Sequence, residues 1–477
     1  MPPELTARAG LLPSPTGDRA PSGRPVAAGR TLAAALLGFF LITLDASVVN
    51  VALPAIGGDL HGGLSALQWV VDGYTLAFAA LMLSTGALSD RIGAGRAFTG
   101  GVAVFAVASL ACGAAPGLGV LIVARVLQGA AAAVVLPSSL ALVRQAYPDA
   151  ARRARAISLW AVGGSSAIAL GPVAGGALTT AWNWRGIFLV NLPFAVLALW
   201  LSSRSGRTER RRAPLDVPGQ LTAVVALAAL TFAVVEGGGA GWAAAGVAVV
   251  ATAAFFLVES RHPHPVVPLG LFRSRVVTVS IAAGAALSVG FYGMFFVLGL
   301  FFQELRGQSA LTAGLMFLPM TVLISTVNVV AGRITNRYGP RLPMIAGQLL
   351  MAAGLLLLLP VGTGTPAALL AVAMMPLGLG GALAVPPLTA AAMGAVPAER
   401  AGLAAGVLNA ARQVAGGLSV ALFGSLVADR SHFLTGMRVS LVISAALVSL
   451  TALATALALR PAPADRSRRR DARRRRP

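Results

Sequence analysis

Fourteen apolar runs constrain this chain more than anything else in it. They fall at about 31–54, 68–88, 97–116, 119–143, 156–179, 185–202, 217–236, 241–259, 276–301, 311–332, 341–361, 366–389, 402–427 and 437–459. Most are near the roughly 20 residues that a helix needs to cross about 30 Å of hydrocarbon. In lipid every backbone N–H and C=O must be satisfied internally, which leaves helices and closed barrels, and runs of this length select helices. Only 11% of the residues are charged and 57% are hydrophobic, too little polar surface for a soluble domain of 477 residues. The expectation is an all-α polytopic membrane protein with fourteen transmembrane helices.

The charges between the runs are one-sided. All 37 basic residues are arginine, and the net charge is +21. Without lysine the chain has no P-loop lysine for a nucleotide and no amine for a Schiff base. Arg91 and Arg96, Arg152, Arg153 and Arg155, Arg204 to Arg212, Arg261 to Arg275, Arg333 to Arg341, Arg400 and Arg466 to Arg476 occupy one set of loops. The alternate set holds Arg185, Arg306, Arg430 and Arg438. Arginine-rich loops stay cytoplasmic, so both termini are expected inside, as an even number of spans requires. The positive charge therefore reads as a topology signal, with no nucleic acid expected as partner. The final DRSRRRDARRRRP reads as a tail drawn to anionic membrane lipid. The single Cys112 excludes an intramolecular disulfide. HPHP at 262–265 offers only two histidines, too few for a metal site, so no metal is expected.

An internal echo divides the chain. GALSDRIGAGR at 86–96 follows the second run, and GRITNRYGPR at 332–341 follows the tenth, offset by 246 residues. Six helices and their loops need only about 190 residues, and the surplus matches the pair at 217–259. The expected layout is a disordered cytoplasmic tail (1–30), a six-helix bundle (31–203), an arginine-rich linker (204–216) and two inserted helices (217–259). A cytoplasmic loop (260–275), a second six-helix bundle (276–460) and an arginine-rich tail (461–477) follow. Parallel repeats of this kind suit transporters that rock around a central site.

A few polar residues interrupt the runs. Asp45 lies inside LITLDASVVNVALP (41–54). A charge near the centre of a spanning helix costs about 2.5–3.5 kcal/mol, so it normally faces the protein interior or a water path. Asp45 lies about 21 Å along the first helix from the arginine-rich side, and Arg125 about 9 Å along the fourth from the opposite side. Both therefore reach one depth, close to that of Asp72. The expectation is that Asp45 and Arg125 approach or share a water path, with Asp72 as second partner or competitor, which makes the three a proton-coupling set. The alternative is a permanent ion pair that only pins two helices. Arg412, about ten residues into the thirteenth helix, is a candidate for an anionic or polar substrate group or for a second coupling element. Phe39, Tyr74, Gln128, Phe291, Tyr292 and Asn409 join it as candidates to line a substrate cavity.

Five segments in order, LDASVVNVALP (44–54), GALSDRIGAGR (86–96), LIVARVLQGAAAA (121–133), Gly164 to Gly176 ending in LGPVAGG, and WNWRGIFLVNLP (182–193), resemble the major facilitator superfamily. The resemblance is to its fourteen-helix drug:proton antiporter branch and covers about residues 35–460. It implies two six-helix bundles plus two inserted helices. It also implies a proton-coupled multidrug or antibiotic efflux antiporter that exports hydrophobic or amphipathic small molecules by alternating access. Gly86, Asp90, Arg91, Gly93 and Arg96 would form an inner gate, and Gly171, Pro172, Gly175 and Gly176 the antiporter motif. The second-half echo departs from the pattern, with Asn336 where an aspartate is expected. No cofactor beyond the proton gradient is implied, and a monomer is expected. The alternatives are a proton-coupled transporter of a metabolite or amino acid, or a non-transporting membrane receptor or membrane-embedded enzyme.

Overall fold

The computed structural model describes residues 25–203, 216–263, 265 and 267–459. The first bundle holds α1 (Pro25–Asp59), α2 (Leu64–Ile92), α3 (Ala94–Gly113), α4 (Leu118–Ala146), α5 (Ala150–Ala181) and α6, whose two pieces are Gly186–Leu189 and Asn191–Ser202. The inserted pair is α7 (Val217–Glu236) and α8 (Gly238–Arg261). The second bundle holds α9 (Arg275–Leu305), α10 (Ala310–Tyr338), α11 (Arg341–Leu357), α12 (Ala367–Gly394), α13 (Ala398–Leu426) and α14 (Phe433–Ala458). Fourteen helices are present among the described residues, in the expected order. Eleven are long and apolar enough to cross a membrane by length and composition. The stretches Gly186–Ser202 and Arg341–Leu357 are shorter apolar helices. Polar residues such as Arg400, Asn409 and Arg412 dilute the apolar character of α13.

Several helices outrun their apolar runs. The first begins at Pro25, six residues before its apolar run. Helical hydrogen bonding does not stop where hydrophobicity does, and proline is well tolerated in a first turn, whose N–H groups lack helical partners anyway. Side-chain caps fix other starts. Asp149 accepts the Arg152 N–H, Asp216 the Gly219 N–H and Ser309 the Thr312 N–H. Residues 1–24, the linker up to 215 and the tail from 460 lie outside the described residues.

The echo is visible in the backbone. Gly93 (φ 93°) joins α2 to α3, and Gly339 (φ 77°), 246 residues later, joins α10 to α11. Each donates its N–H to the carbonyl four residues back, Ser89 and Thr335, at 2.9 Å. This left-handed backbone conformation favours glycine.

The bundles meet along α5 against α10 and α2 against α13. Gln68 donates to the Ala421 and Val420 carbonyls at 2.7 and 3.3 Å, and Gln303 to the Val51 carbonyl at 2.9 Å. Near mid-depth, Ser325 donates to the Ser165 carbonyl at 2.8 Å and Thr321 to the Ala169 carbonyl at 3.3 Å. These bonds run from the arginine-poor end to the middle of the molecule. The inserted α7 lies along α2 and α13. Gln220 bonds Ser84 and the Ala80 carbonyl near one end of α2, and at the other end Glu236 accepts from Ser65 (2.8 Å) and Trp69 (3.3 Å). Glu236 thus docks the insert, although its sequence position suggests only a solvated helix end.

Candidate functional site

Two acids of the first bundle sit in very different surroundings. Asp45 on α1 is fully buried, and three side chains donate to it. Arg125 Nη1 is 2.5 Å from Oδ2, while Asn191 Nδ2 and Gln128 Nε2 reach Oδ1 at 2.8 and 3.2 Å. Arg125 also donates through Nε to the Val70 carbonyl (3.0 Å) and through Nη1 to Gln128 Oε1 (2.8 Å). Ser109 Oγ accepts from Gln128 at 2.7 Å and from Asn191 at 3.1 Å, and Cys112 Sγ donates to Gln128 Oε1 at 3.2 Å. Arg125 lies 4.3 Å from the centre of the Tyr74 ring, a cation–π contact. The Tyr74 hydroxyl donates to the Ile42 carbonyl at 3.0 Å. Five helices of one bundle thus close a polar cluster.

The shared depth of Asp45 and Arg125 therefore produces contact. Tyr74 and Gln128, expected beside a substrate cavity, are both buried within this cluster. Gly129 is what lets the cluster close. A Cβ there would strike the Tyr74 backbone, so α2 and α4 touch main chain to side-chain-free main chain. Asn191, Ser109 and Cys112 were absent from the sequence-based set. Asn191, a lone amide in the apolar FLVNLP stretch, carried a usable signal; a serine and a cysteine among small residues did not.

Asp72 on α2 is also fully buried, yet neither carboxylate oxygen has a hydrogen-bond partner. It makes no ion pair with Arg125, whose carboxylate partner is Asp45. Asp72 lies two positions before Tyr74, about 200° around the helix, so when Tyr74 faces Arg125 the aspartate faces the other way. It looks across the bundle interface at α13, where a Cβ on Gly417 would be 3.6 Å from Oδ1.

On α13, Arg412 donates through Nη1 to Asn409 Oδ1 at 3.3 Å, and its buried Nε has no partner. The helix opposite, α9, carries two π-helical turns that the apolar pattern did not reveal, Val289–Gly293 and Phe301–Leu305. Tyr292 lies in the first, and Phe291 stacks edge-on against it (5.3 Å) and alongside Phe295 (5.9 Å). Phe39 stacks on Trp160 at 4.2 Å over Gly164, within the first bundle.

The small residues of α5 serve close packing. Gly171 abuts Ser47, and a Cβ on Gly175 would come 2.7 Å from the Val48 carbonyl oxygen, so both seat α5 on α1. Gly176 meets the Ala310 and Leu311 backbone, and the Pro172 carbonyl meets Gly314, so the same stretch seats α5 on α10 across the bundle interface. In the expected gate, Gly93 makes the turn and Arg91 and Arg96 are exposed, while the side-chain placement of Gly86 and Asp90 lies outside the described residues.

Residues 35–420 match the model of the Major Facilitator Superfamily. The chain is 38% identical over 433 residues to the methylenomycin A resistance protein of Streptomyces coelicolor, covering 89% of this chain and 90% of that one. It is 40% identical over 407 residues to the multidrug resistance protein Stp of Mycobacterium tuberculosis, covering 83% and 75%. Its fold matches the crystal structure of a peptide transporter with a TM-score of 0.70 at 16% identity, over 92% of this chain and 96% of the other. With the repeated bundles, the inserted pair and the buried polar residues in place, the chain belongs to the Major Facilitator Superfamily, as a multi-span membrane transporter and not an enzyme.

Proposed function

We propose that this protein is a proton-coupled multidrug or antibiotic efflux antiporter of a bacterial cytoplasmic membrane, with both termini in the cytoplasm. Relatives named for antibiotic and multidrug resistance support the substrate class, and the arginine-rich loops support the orientation. The ion gradient is the power source and no bound cofactor is needed: one proton crossing 100 mV releases about 2.3 kcal/mol.

The observation that carries the coupling scheme is the position of Asp72, an unpartnered carboxyl at the interface along which the two bundles move. Its oxygens are free to hold a proton in one state and to exchange it in another. Asp45 and Arg125 form the second element, a latch whose hydrogen bonds fix α1, α4 and α6 relative to one another. Arg91, Gly93 and Arg96, with Gly86 and Asp90, form the inner gate, and Gly171, Pro172, Gly175 and Gly176 give the surfaces on which α5 shifts against α1 and α10.

Purified protein in liposomes with an imposed pH gradient tests this reading against a panel of hydrophobic cations, neutral compounds and carboxylates. Gradient-dependent movement of at least one compound, abolished by a protonophore, is expected. Movement of none, in either gradient direction, would sink the proton-coupled efflux reading.

A further inference from the structure

The sequence leaves open what Arg412 does; its surroundings narrow the choice. The aliphatic stem lies against α9, where a Cβ on Gly284 would come 3.0 Å from Cγ and 3.2 Å from Cδ. One turn along α13, Gly416 receives the Tyr292 ring, whose Cδ2 is 2.8 Å from the corresponding Cβ position. Two glycines thus seat a guanidinium and a phenol side by side on facing helices. The phenol comes from a π-helical turn, a local rearrangement that recurs at functional sites.

A guanidinium offers five N–H donors. At Arg412 one donates to Asn409, and the Nε–H has no partner. Among the described residues no carboxylate forms an ion pair with it. Asp72 does not supply the missing charge. It meets α13 at Gly417, five residues on, which is about 140° around the helix and about 7.5 Å along it. Arg412 and Tyr292 are both partly exposed, so the pair is reachable from outside the packed core. A charge placed midway in a membrane helix without a resident partner calls for one from elsewhere.

We propose that Arg412, with Tyr292 and Asn409, is a substrate subsite for an anionic group, a carboxylate or phenolate on an otherwise apolar molecule. This rests on the transporter reading and adds the charge of a substrate class to it. The guanidinium takes the two oxygens side by side, the Tyr292 hydroxyl adds a third donor, and Asn409 holds the guanidinium in plane. The apolar body of the ligand lies toward Phe291.

The test compares 9-anthracenecarboxylate with its methyl ester, which keeps the shape and removes the charge. Binding is followed by anthracene fluorescence with the full chain in nanodiscs. The intact protein is expected to bind the acid at least about tenfold tighter than the ester, a difference of about 1.4 kcal/mol. Arg412→Gln should bring the two affinities together, Arg412→Lys should keep part of the preference, and ester binding should report that each variant is folded. Equal affinities in the intact protein, or a preference that survives Arg412→Gln, overturns the subsite. Failure of the transporter reading shows separately, as the absence of gradient-driven movement for the whole panel while the acid-to-ester ratio stands.

Discussion

Asp45 and Asp72 are equally buried and lie in neighbouring helices of the same bundle, yet their chemistry diverges. Asp45 accepts from an arginine, a glutamine and an asparagine, whereas no donor reaches Asp72. The difference shows that the depth of a carboxylate does not tell its role. Partners tie Asp45 into the bundle, and their lack leaves both Asp72 oxygens without a donor.

The sharpest way to break the comparison is Asp72→Asn. It removes no hydrogen bond, so the thermal midpoint should stay in place while gradient-driven transport falls to the level of empty liposomes. Full transport in this variant would move the exchanging role elsewhere. Asp45→Asn should behave in the opposite manner. It strands Arg125 without its counter-charge, at a cost of about 3–5 kcal/mol, read as a large drop in thermal midpoint. Adding Arg125→Gln should restore more than half of that loss without restoring transport; no recovery would mean that the pair is not what the stability depends on. Glycines beside each acid sharpen the contrast further. Gly129→Ala pushes a methyl into the Tyr74 backbone and should cost about 1–3 kcal/mol. At Gly417 the nearest atoms to a new Cβ are at 3.4 and 3.6 Å, ordinary contact, so Gly417→Ala should leave stability nearly unchanged.

The smallest effect concerns an acid that is paired but outside the membrane. Asp429 is hydrogen-bonded by the Ser431 hydroxyl, His432 and the Ser431 N–H, which hold its carboxyl below the ordinary 3.8, at about 2. A depressed value means that its contribution to stability is complete above 3.8 and is lost as pH falls through about 2. Site-specific NMR titration should find that midpoint, and Ser431→Ala should return it toward 3.8. An unshifted midpoint in the intact protein would show that these bonds do not persist in solution.

Much of this protein could be read along one dimension. Hydrophobic length set the number and order of helices, the 246-residue echo located the turns at Gly93 and Gly339, and a rise of about 1.5 Å per residue brought Asp45 and Arg125 to one depth. These are properties of single segments measured along their own axes. The rotational setting of each helix was decided elsewhere. In a membrane the lipid-facing and core-facing sides are both apolar, so the amphipathic stripe that orients a soluble helix is weak or missing. Only close packing, Gly129 on Tyr74, Gly175 on Val48 and Gly416 on Tyr292, turned Asp72 away from Arg125, drew Tyr74 and Gln128 into the polar cluster with Asn191, and set Arg412 against α9. Such contacts join residues tens to hundreds of positions apart, and for that reason tertiary structure alone fixes them.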